Sequence, residues 1–477
     1  MSSAQASGPH DISVPIARVV LVAATAALGG FLFGFDTAVI NGAVSAIGEQ
    51  FSTGPLLLGF AVASALIGCA IGAWYAGRIA DRYGRIRVML IAAALFIASA
   101  IGCAVAFSVW DLSFWRVVGG LGVGAASVIA PAYIAEVSPP AYRGRLGSLQ
   151  QLAIVTGIFV ALLSDAAIVA AAGTATAPWL LGLEAWRWMF LVAVVPALVY
   201  GAMALTIPES PRYLIARGEM KKAKEVLSRY VGGDVEKVST DILKTVEGKS
   251  DRPRFAILRR GKFGLLPIVW IGIGLSVLQQ FTGINVIFYY STTLWQAVGF
   301  TEQDSLTITV ITSVTNILTT IVAIMLIDKV GRRPLLLVGA IGQFLCLAVL
   351  TLMFATATVV DGEPVLEGSA GTIALVAANL YVVFFGATWG PVVWVLLGEM
   401  FSNKIRAVAL SVAASAQWAA NFVISTTFPA LAAVGLGLAY GVYTFFAFVA
   451  IFFVLKFVKE TKGRTLESMS EEATPVA

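Results

Sequence analysis

The chain has 477 residues, of which 58% are hydrophobic and only 12% charged, and its mean hydropathy is +0.88. A water-soluble domain of this size carries roughly twice that charge fraction, so the composition excludes an ordinary soluble enzyme and places most of the chain in lipid. The net charge of +5 is then a topology signal rather than a nucleic-acid footprint.

Twelve mostly apolar spans are predicted, at 19–46, 57–80, 86–107, 111–137, 145–170, 186–207, 264–298, 305–327, 334–358, 371–399, 407–434 and 436–456. Each is long enough to cross a bilayer, and lipid satisfies no backbone polar group, so each must be helical. The expected fold class is an all-α membrane protein with twelve transmembrane helices in two pseudo-symmetric six-helix halves. The expected division is an N-terminal half over 1–208, a cytoplasmic helical linker over 209–263, a C-terminal half over 264–458 and a tail over 459–477.

The polar first sixteen residues lead into span 1 without a small-residue cleavage site, so span 1 is expected to be retained. Within it, Gly34-Phe35-Asp36-Thr37 places an acid deep in apolar sequence. Between spans 2 and 3 comes Asp81-Arg82-Tyr83-Gly84-Arg85, and span 4 holds an equally deep cation in Trp115-Arg116-Val117. Ionisable residues at such depth are costly and mark function by default, with the opposite charge as the expected partner. Separating an Asp36–Arg116 pair favours the protonated acid, which is the physics of a proton switch; a static ion pair is the plain alternative. Glu136 ends span 4, Arg143 follows seven residues later, and span 5 contributes Gln151.

The central loop carries fourteen Lys/Arg against eight Asp/Glu, and Met220–Leu227 has an amphipathic helical pattern. It has no phosphate loop and too few residues for a catalytic domain. Span 7 then brings Gln279-Gln280-Phe281-Thr282-Gly283-Ile284-Asn285 and Tyr289-Tyr290. On an ideal helix Gln279 and Asn285 lie about 240° apart, so a break at Thr282-Gly283 is expected. Asn316 lies in span 8, and Asp328-Lys329-Val330-Gly331-Arg332-Arg333 follows it. Span 10 combines Gly386, Gly390-Pro391 and Trp394 as a flexible hinge with an aromatic, and Glu399 and Arg406 repeat the spacing of seven. Span 11 puts Gln417, Trp418 and Asn421 together, and Glu460-Thr461-Lys462-Gly463 loosely repeats Pro208-Glu209-Ser210-Pro211. Neutral amides beside indoles suit a polyhydroxylated neutral ligand, whereas a single amide is commonly helix–helix glue.

Three charged cassettes thus occur twice, as expected of a carrier built from two repeats. Asp81, Arg82, Arg85, Glu136 and Arg143, with Asp328, Arg332, Arg333, Glu399 and Arg406, are expected to form a cytoplasmic latch that closes when the carrier faces outward. In this reading Asp81 and Asp328 face neighbouring helix N-termini. Of 32 Lys/Arg, all but Arg116 and Arg187 fall on one side of the spans, so both termini are expected to be cytoplasmic. Cys69, Cys103 and Cys346 lie inside spans, and the lone histidine is His10 in the N-terminal tail. Neither a metal nor a cofactor is expected, and proton coupling must use a carboxylate.

Taken in order, Gly34-Phe35-Asp36, the two Asp-(Arg/Lys)-x-Gly-Arg loops, Pro131-x-Tyr133-x-x-Glu136 through Arg143-Gly144, Pro208-Glu209-Ser210-Pro211-Arg212, Gln279-Gln280-x-x-Gly283-Ile284-Asn285, Gly390-Pro391-x-x-Trp394 and Glu460-Thr461-Lys462-Gly463 resemble the sugar porter branch of the major facilitator superfamily over essentially the whole chain. The overall wording is similar to that of bacterial glucose/proton symporters. The resemblance implies that Gln151, Gln279, Gln280, Asn285, Asn316, Trp394 and Gln417 contact sugar, and that Tyr289 and Tyr290 help close the external gate. Asn421 and Tyr289 are grouped with the substrate site. Departures include Ile86 between Arg85 and Arg87, Ile324 at the position equivalent to Gly77, and Lys459 where a proline is common.

The expected function is therefore not enzymatic: a proton-coupled hexose symporter working by alternating access, D-glucose first. Asp36 stands where facilitative animal carriers resembling this chain have a neutral residue, and Ile158 beyond Gln151 is apolar, as in similar glucose carriers. A facilitative uniporter, or a proton symporter for a pentose or inositol, is the alternative. The expected partners are a monosaccharide, a proton and the lipid bilayer, with no nucleic acid; the expected state is a monomer in the cell membrane.

Overall fold

The computed structural model describes residues 16–139, 143–247, 258, 264–360, 363–366, 369–401 and 405–462. It is an all-α, multi-pass membrane fold with twelve helices long and apolar enough to cross a bilayer. Spans 1 to 6 are Ile16–Gln50, Pro55–Tyr83, Arg85–Ala104, Val109–Val137, Leu146–Ala172 and Ala185–Ala204. Spans 7 to 12 are Pro267–Gln296, Glu302–Ile327, Arg332–Ala355, Ala370–Met400, Val408–Val434 and Leu436–Phe457. Every predicted span is present, with ends displaced by a few residues at most.

Helix starts follow local chemistry. The Ser108 hydroxyl accepts from Asp111 N–H at 3.1 Å, and Thr301 from Asp304 N–H at 3.1 Å, so spans 4 and 8 each open on a capped turn with an acid at the positive end of the helix dipole. Pro55 and Pro267 occupy first-turn positions, where a missing N–H costs nothing. Arg187, a cation on the acidic face, pairs with Glu184 at 2.5 Å and donates to the Ala104 and Ala106 carbonyls at the end of span 3. Its charge thereby satisfies a helix C-terminus.

The basic central segment forms a small helical bundle. Helices Pro211–Ala216, Met220–Val226 and Val235–Glu247, with a π turn at Leu227–Val231, pack Leu214, Ile215 and Ala223 against Met220, Val226, Ile242 and Leu243. On the opposite face, Thr358–Val360 and Glu363–Val365 pair as a short antiparallel hairpin, an element the sequence pattern did not predict.

Two tight turns repeat between the halves. Span 2 passes to span 3 through Gly84 at φ 97°, and span 8 to span 9 through Gly331 at φ 103°. Both lie in the left-handed region, where a side chain is penalised. A Cβ on Gly84 would sit 2.3 Å from Glu209 Oε2, and one on Gly331 would sit 2.8 Å from Glu460 Oε2. Each glycine therefore admits a carboxylate against the start of the following helix.

Candidate functional site

Span 7 is interrupted where the sequence expects it. Its first helix ends at Phe281, Gly283 is left-handed at φ 86°, and a second helix starts at Ile284. The break swings Asn285 back onto the face of the preceding helix, and a chain of amides results. Asn285 Nδ2 donates to Gln280 Oε1, Gln280 Nε2 donates to Gln279 Oε1 at 3.3 Å, and Gln279 Nε2 donates to the carbonyls of Trp389 at 2.8 Å and Gly390 at 3.2 Å. The Tyr381 hydroxyl donates to the Thr282 carbonyl at 2.8 Å, satisfying an acceptor freed by the break.

The partner of this chain in span 10 is equally irregular. A π turn at Phe385–Trp389 precedes a helix that restarts at Gly390 with Pro391 in its first turn. Asn316 of span 8 faces this hinge: its Oδ1 lies 3.1 Å from where a Cβ on Gly386 would stand. One turn beyond Pro391, Trp394 is 41% exposed, with its ring outside the packed core. In span 11, Asn421 Oδ1 accepts from Ser425 Oγ at 3.1 Å and its Nδ2 reaches Tyr289 Oη at 3.4 Å, while Tyr290 donates to the Ser425 carbonyl at 2.7 Å. Gln417 is half-buried, and its Oε1 has no hydrogen-bond partner. Gln151 is half-buried on span 5.

Gln279, Gln280 and Asn285 are thus joined directly, and Tyr289 and Asn421 form a second pair. Hydrogen bonds among the described residues do not link Gln151, Asn316, Trp394 or Gln417 to that chain. Gln150, which had no signal in the sequence, is more buried than Gln151; its amide nitrogen packs against Gly30 of span 1, and its Oε1 has no hydrogen-bond partner.

The deep charges are arranged differently from the expected ion pair. Asp36 is 9% exposed and Arg116 3%, but the guanidinium donates to the backbone carbonyls of Asp36 at 3.4 Å and Val62 at 3.2 Å, not to the carboxylate. Asp36 Oδ2 has no hydrogen-bond partner. The other carboxylate oxygen lies 3.3 Å from where a Cβ on Gly119 would stand, a point also 2.4 Å from Ser99 Oγ. The buried carboxylate and guanidinium thus form no ion pair with each other in this arrangement.

The cassettes bring together partners that the spacing did not suggest. Arg85 makes a two-pronged bond to Glu136, both prongs at 3.0 Å, and Arg332 does the same with Glu399 at 3.0 and 2.7 Å. Glu136 and Glu399 thus pair with these arginines. Arg143 and Arg406, the partners expected for them, have side chains outside the described residues, as does Asp328. Asp81 pairs with Arg85 at 3.3 Å and makes no hydrogen bond to a helix N-terminus among the described residues. That role belongs to Glu209, which accepts from Arg85 N–H at 2.9 Å and Ile86 N–H at 3.3 Å, and to Glu460, which accepts from Arg332 N–H at 3.0 Å and Arg333 N–H at 2.9 Å. Ser210 and Thr461 hydroxyls complete the clusters on Glu136 and Glu399. Arg82 is exposed over the Tyr83 ring, and Arg333 reaches the Leu455 carbonyl. Each cluster lies within one half. Burial pushes the Glu460 carboxyl up, but the N–H groups of Lys462, Arg332, Arg333 and Thr461 outweigh it and hold that carboxyl below its usual range.

Hydrogen bonds between the halves, among the described residues, lie at the opposite end of the spans. Span 1 unwinds after Ala38 into a 3-10 turn at Asn41–Ala43. There Asn41 Nδ2 donates to the Phe288 carbonyl at 2.8 Å, and Asn41 Oδ1 accepts from Thr292 N–H at 3.2 Å and from the Thr292 hydroxyl. Ser45 donates to Gln296 at 3.1 Å, and Glu302 accepts from Ala175 N–H at 3.3 Å. Asn41 was missed in the sequence; an Asn-Gly pair inside an apolar span was the available signal.

Comparison with known proteins agrees with this architecture. The family described as "Sugar (and other) transporter" matches residues 22–473. A glucose transport protein of Synechocystis sp. is 61% identical over 465 residues, covering 97% of this chain and 99% of the relative. The D-xylose-proton symporter of Escherichia coli is 38% identical, covering 93% of each chain. Among solved structures, the inward-open conformation of the xylose transporter XylE from E. coli superposes with a TM-score of 0.79 at 35% identity, over 95% of this chain and 99% of that one. A second XylE structure, bound to 6-bromo-6-deoxy-D-glucose, gives a TM-score of 0.77 at 36% identity over 96% of this chain and all of that one. This chain belongs to the sugar transporter family.

Proposed function

We propose that the protein is a proton-coupled sugar symporter that works by alternating access, with D-glucose as its first substrate. The observation that carries proton coupling is Asp36, a membrane-buried carboxyl beside Arg116 but not bonded to it. Coupling requires an element with two arrangements whose balance the ligand shifts. Here the guanidinium rests on carbonyls of spans 1 and 2. Its capture by an ionised Asp36 supplies the second arrangement, so the proton occupancy of one carboxyl biases the packing of spans 1, 2 and 4.

Sugar recognition is assigned to Gln279, Gln280 and Asn285 at the break in span 7, with Gln151, Asn316, Trp394, Gln417 and Asn421 completing the site and Tyr289 beside it. The amides bond one another and the span 10 hinge, so sugar hydroxyls exchange for those bonds rather than adding to them. Glucose is placed first because the glucose transport protein of Synechocystis sp. matches almost end to end. By the distribution of basic residues, the face carrying Arg85 and Arg332 is cytoplasmic and the Asn41 gate is external. A closed external gate, with Asn41 bonded across to span 7, corresponds to an inward-facing carrier. We place the protein in the cell membrane as a monomer with cytoplasmic termini, divided into two halves by the linker at 209–263.

Proteoliposomes test this reading. Wild type accumulates labelled glucose against its gradient when the outside is acidic, and Asp36→Asn binds glucose but no longer concentrates it. Equilibration without accumulation, indifferent to a protonophore, would make the protein a uniporter.

A further inference from the structure

Span 5 carries a second membrane-embedded acid that the symport reading leaves unused. Asp165 is fully buried, at 0% exposure. One oxygen accepts a long 3.3 Å bond from Gly42 N–H, and the other has no hydrogen-bond partner. The contact is close: a Cβ on Gly42 would stand 2.9 Å from both Asp165 Cβ and Oδ2, and 2.9 Å from the Met189 sulfur. Gly42 directly follows Asn41, whose side chain holds the Phe288 carbonyl and Thr292 of span 7 at the external gate. Asp165 therefore sits against the turn that seals the carrier.

The surroundings offer no counter-charge. Span 5 packs against span 1, the Asn41–Ala43 turn, span 4, span 6 and span 8. The turn itself carries no charge. Asp36 on span 1 lies nearly two helical turns earlier in sequence. Arg116 on span 4 is engaged with two carbonyls, and Asp111 accepts from Phe107 N–H. Arg187 on span 6 is held by Glu184 and the end of span 3. On span 8, Glu302 accepts from Ala175 and Asp304 bonds to Thr301. None of these forms an ion pair or hydrogen bond with Asp165 among the described residues.

We infer that Asp165 is a positioning residue of the external gate and a second proton-accepting group: the gate closes over a protonated Asp165, and its ionisation accompanies opening to the outside. The physical ground is the cost of sealing a carboxylate in a dry site with one weak donor and no cation. Opening the gate moves the Asn41 turn away and lets external water solvate the charge. Acidification outside therefore promotes closure, whichever group carries the proton that drives uptake. This rests on the alternating-access symport reading, but its test does not require a driving force.

Sugar counterflow in proteoliposomes, with equal pH on both sides, reads gate closure without net proton transport. Exchange by wild type and by Asp36→Asn falls roughly five- to tenfold as pH is raised across the range in which a solvated carboxyl ionises. Introduced into Asp36→Asn, Asp165→Asn, nearly isosteric and still an acceptor for Gly42, removes that fall; Asp165→Ser, smaller and also non-titrating, stands in if the amide does not fold. An infrared carbonyl band of a protonated carboxyl, present in Asp36→Asn and absent from the Asp36→Asn/Asp165→Asn double variant, is the accompanying signature. A non-titrating variant that keeps the wild-type pH profile overturns the inference, as does absence of the band. Loss of uphill uptake in Asp36→Asn alone bears on the symport reading and leaves this one standing.

Discussion

Gln280 occupies the middle of the amide chain, so its removal separates a sugar site from structural glue. In Gln280→Ala two groups lose partners, the buried Gln279 Oε1 and the half-buried Asn285 Nδ2. An unsatisfied buried polar group costs about 1–3 kcal/mol; Gln279 is 2% exposed and bears that cost, whereas Asn285 is half-buried and bears less. Bound sugar loses the donor and acceptor that Gln280 presents. Because binding exchanges one set of hydrogen bonds for another, the net loss is about 1–2 kcal/mol, or roughly 5- to 30-fold in Kd. Calorimetric titration of detergent-solubilised protein with glucose gives Kd, and thermal unfolding in the same buffer separates binding from stability. A structural amide lowers Tm and leaves Kd alone; a sugar contact weakens Kd even where Tm is maintained. If Kd stays within about twofold of wild type, assignment of the chain to sugar recognition fails.

Gly283→Ala forces a left-handed alanine, costing about 1–2 kcal/mol, and drives a methyl to 2.7 Å from the Tyr443 ring; transport should fall and Tm drop, and unchanged transport would show that the break is dispensable. Glu460→Gln addresses the turn cluster. Its carboxyl is held below the usual 4.5, so its contribution to stability is complete above that value and lost as pH falls through the lower, folded value. In a pH series of Tm, the wild-type advantage over Glu460→Gln should therefore shrink below about pH 4.5, and a constant difference would contradict the assigned role.

The spans were legible because lipid imposes a single criterion, a long apolar helix, and the sequence states it twelve times. The break at Gly283 was legible too, since Gln279 and Asn285 could share a face only if the helix stopped between them. Partner choice was harder to read. Sequence spacing suggested Glu136 with Arg143, whose side chain lies outside the described residues; the bond of Glu136 to Arg85, brought across to the end of span 4 by the tight turn at Gly84, is set by tertiary packing and had no signal in the spacing. Likewise Asp36 and Arg116 were rightly brought near each other, yet opposite charge alone did not reveal that the backbone carbonyls of Asp36 and Val62 hold the guanidinium. Asn41 escaped notice because one amide in an apolar span is ordinary until its partners across the seam are known.

The repeated clusters say where a conformational change is cheap. Removing one partner of a buried arginine–carboxylate pair costs about 3–5 kcal/mol, less where the carboxylate keeps some solvent, as Glu399 does at 29%. Arg85 with Glu136, and Arg332 with Glu399, each tie two helix ends of the same half, and Glu209 and Glu460 seal the turns from below. Breaking these contacts in every cycle would require energy that neither sugar nor a single proton need supply, so each half is expected to move as a body. Deformation then falls where the backbone is already irregular: the 3-10 turn at Asn41–Ala43, the left-handed Gly283 and the π turn at Phe385–Trp389. The first bears the external gate, the second carries the amide chain, and the third receives Gln279. On the proposed assignment, sugar at the amides touches two of the three irregular segments, and the Asn41 turn joins the third to span 7 through Phe288 and Thr292. On that assignment, coupling between site and gate is expected to run through these backbone defects, with the charged clusters holding together the helix ends on either side of them.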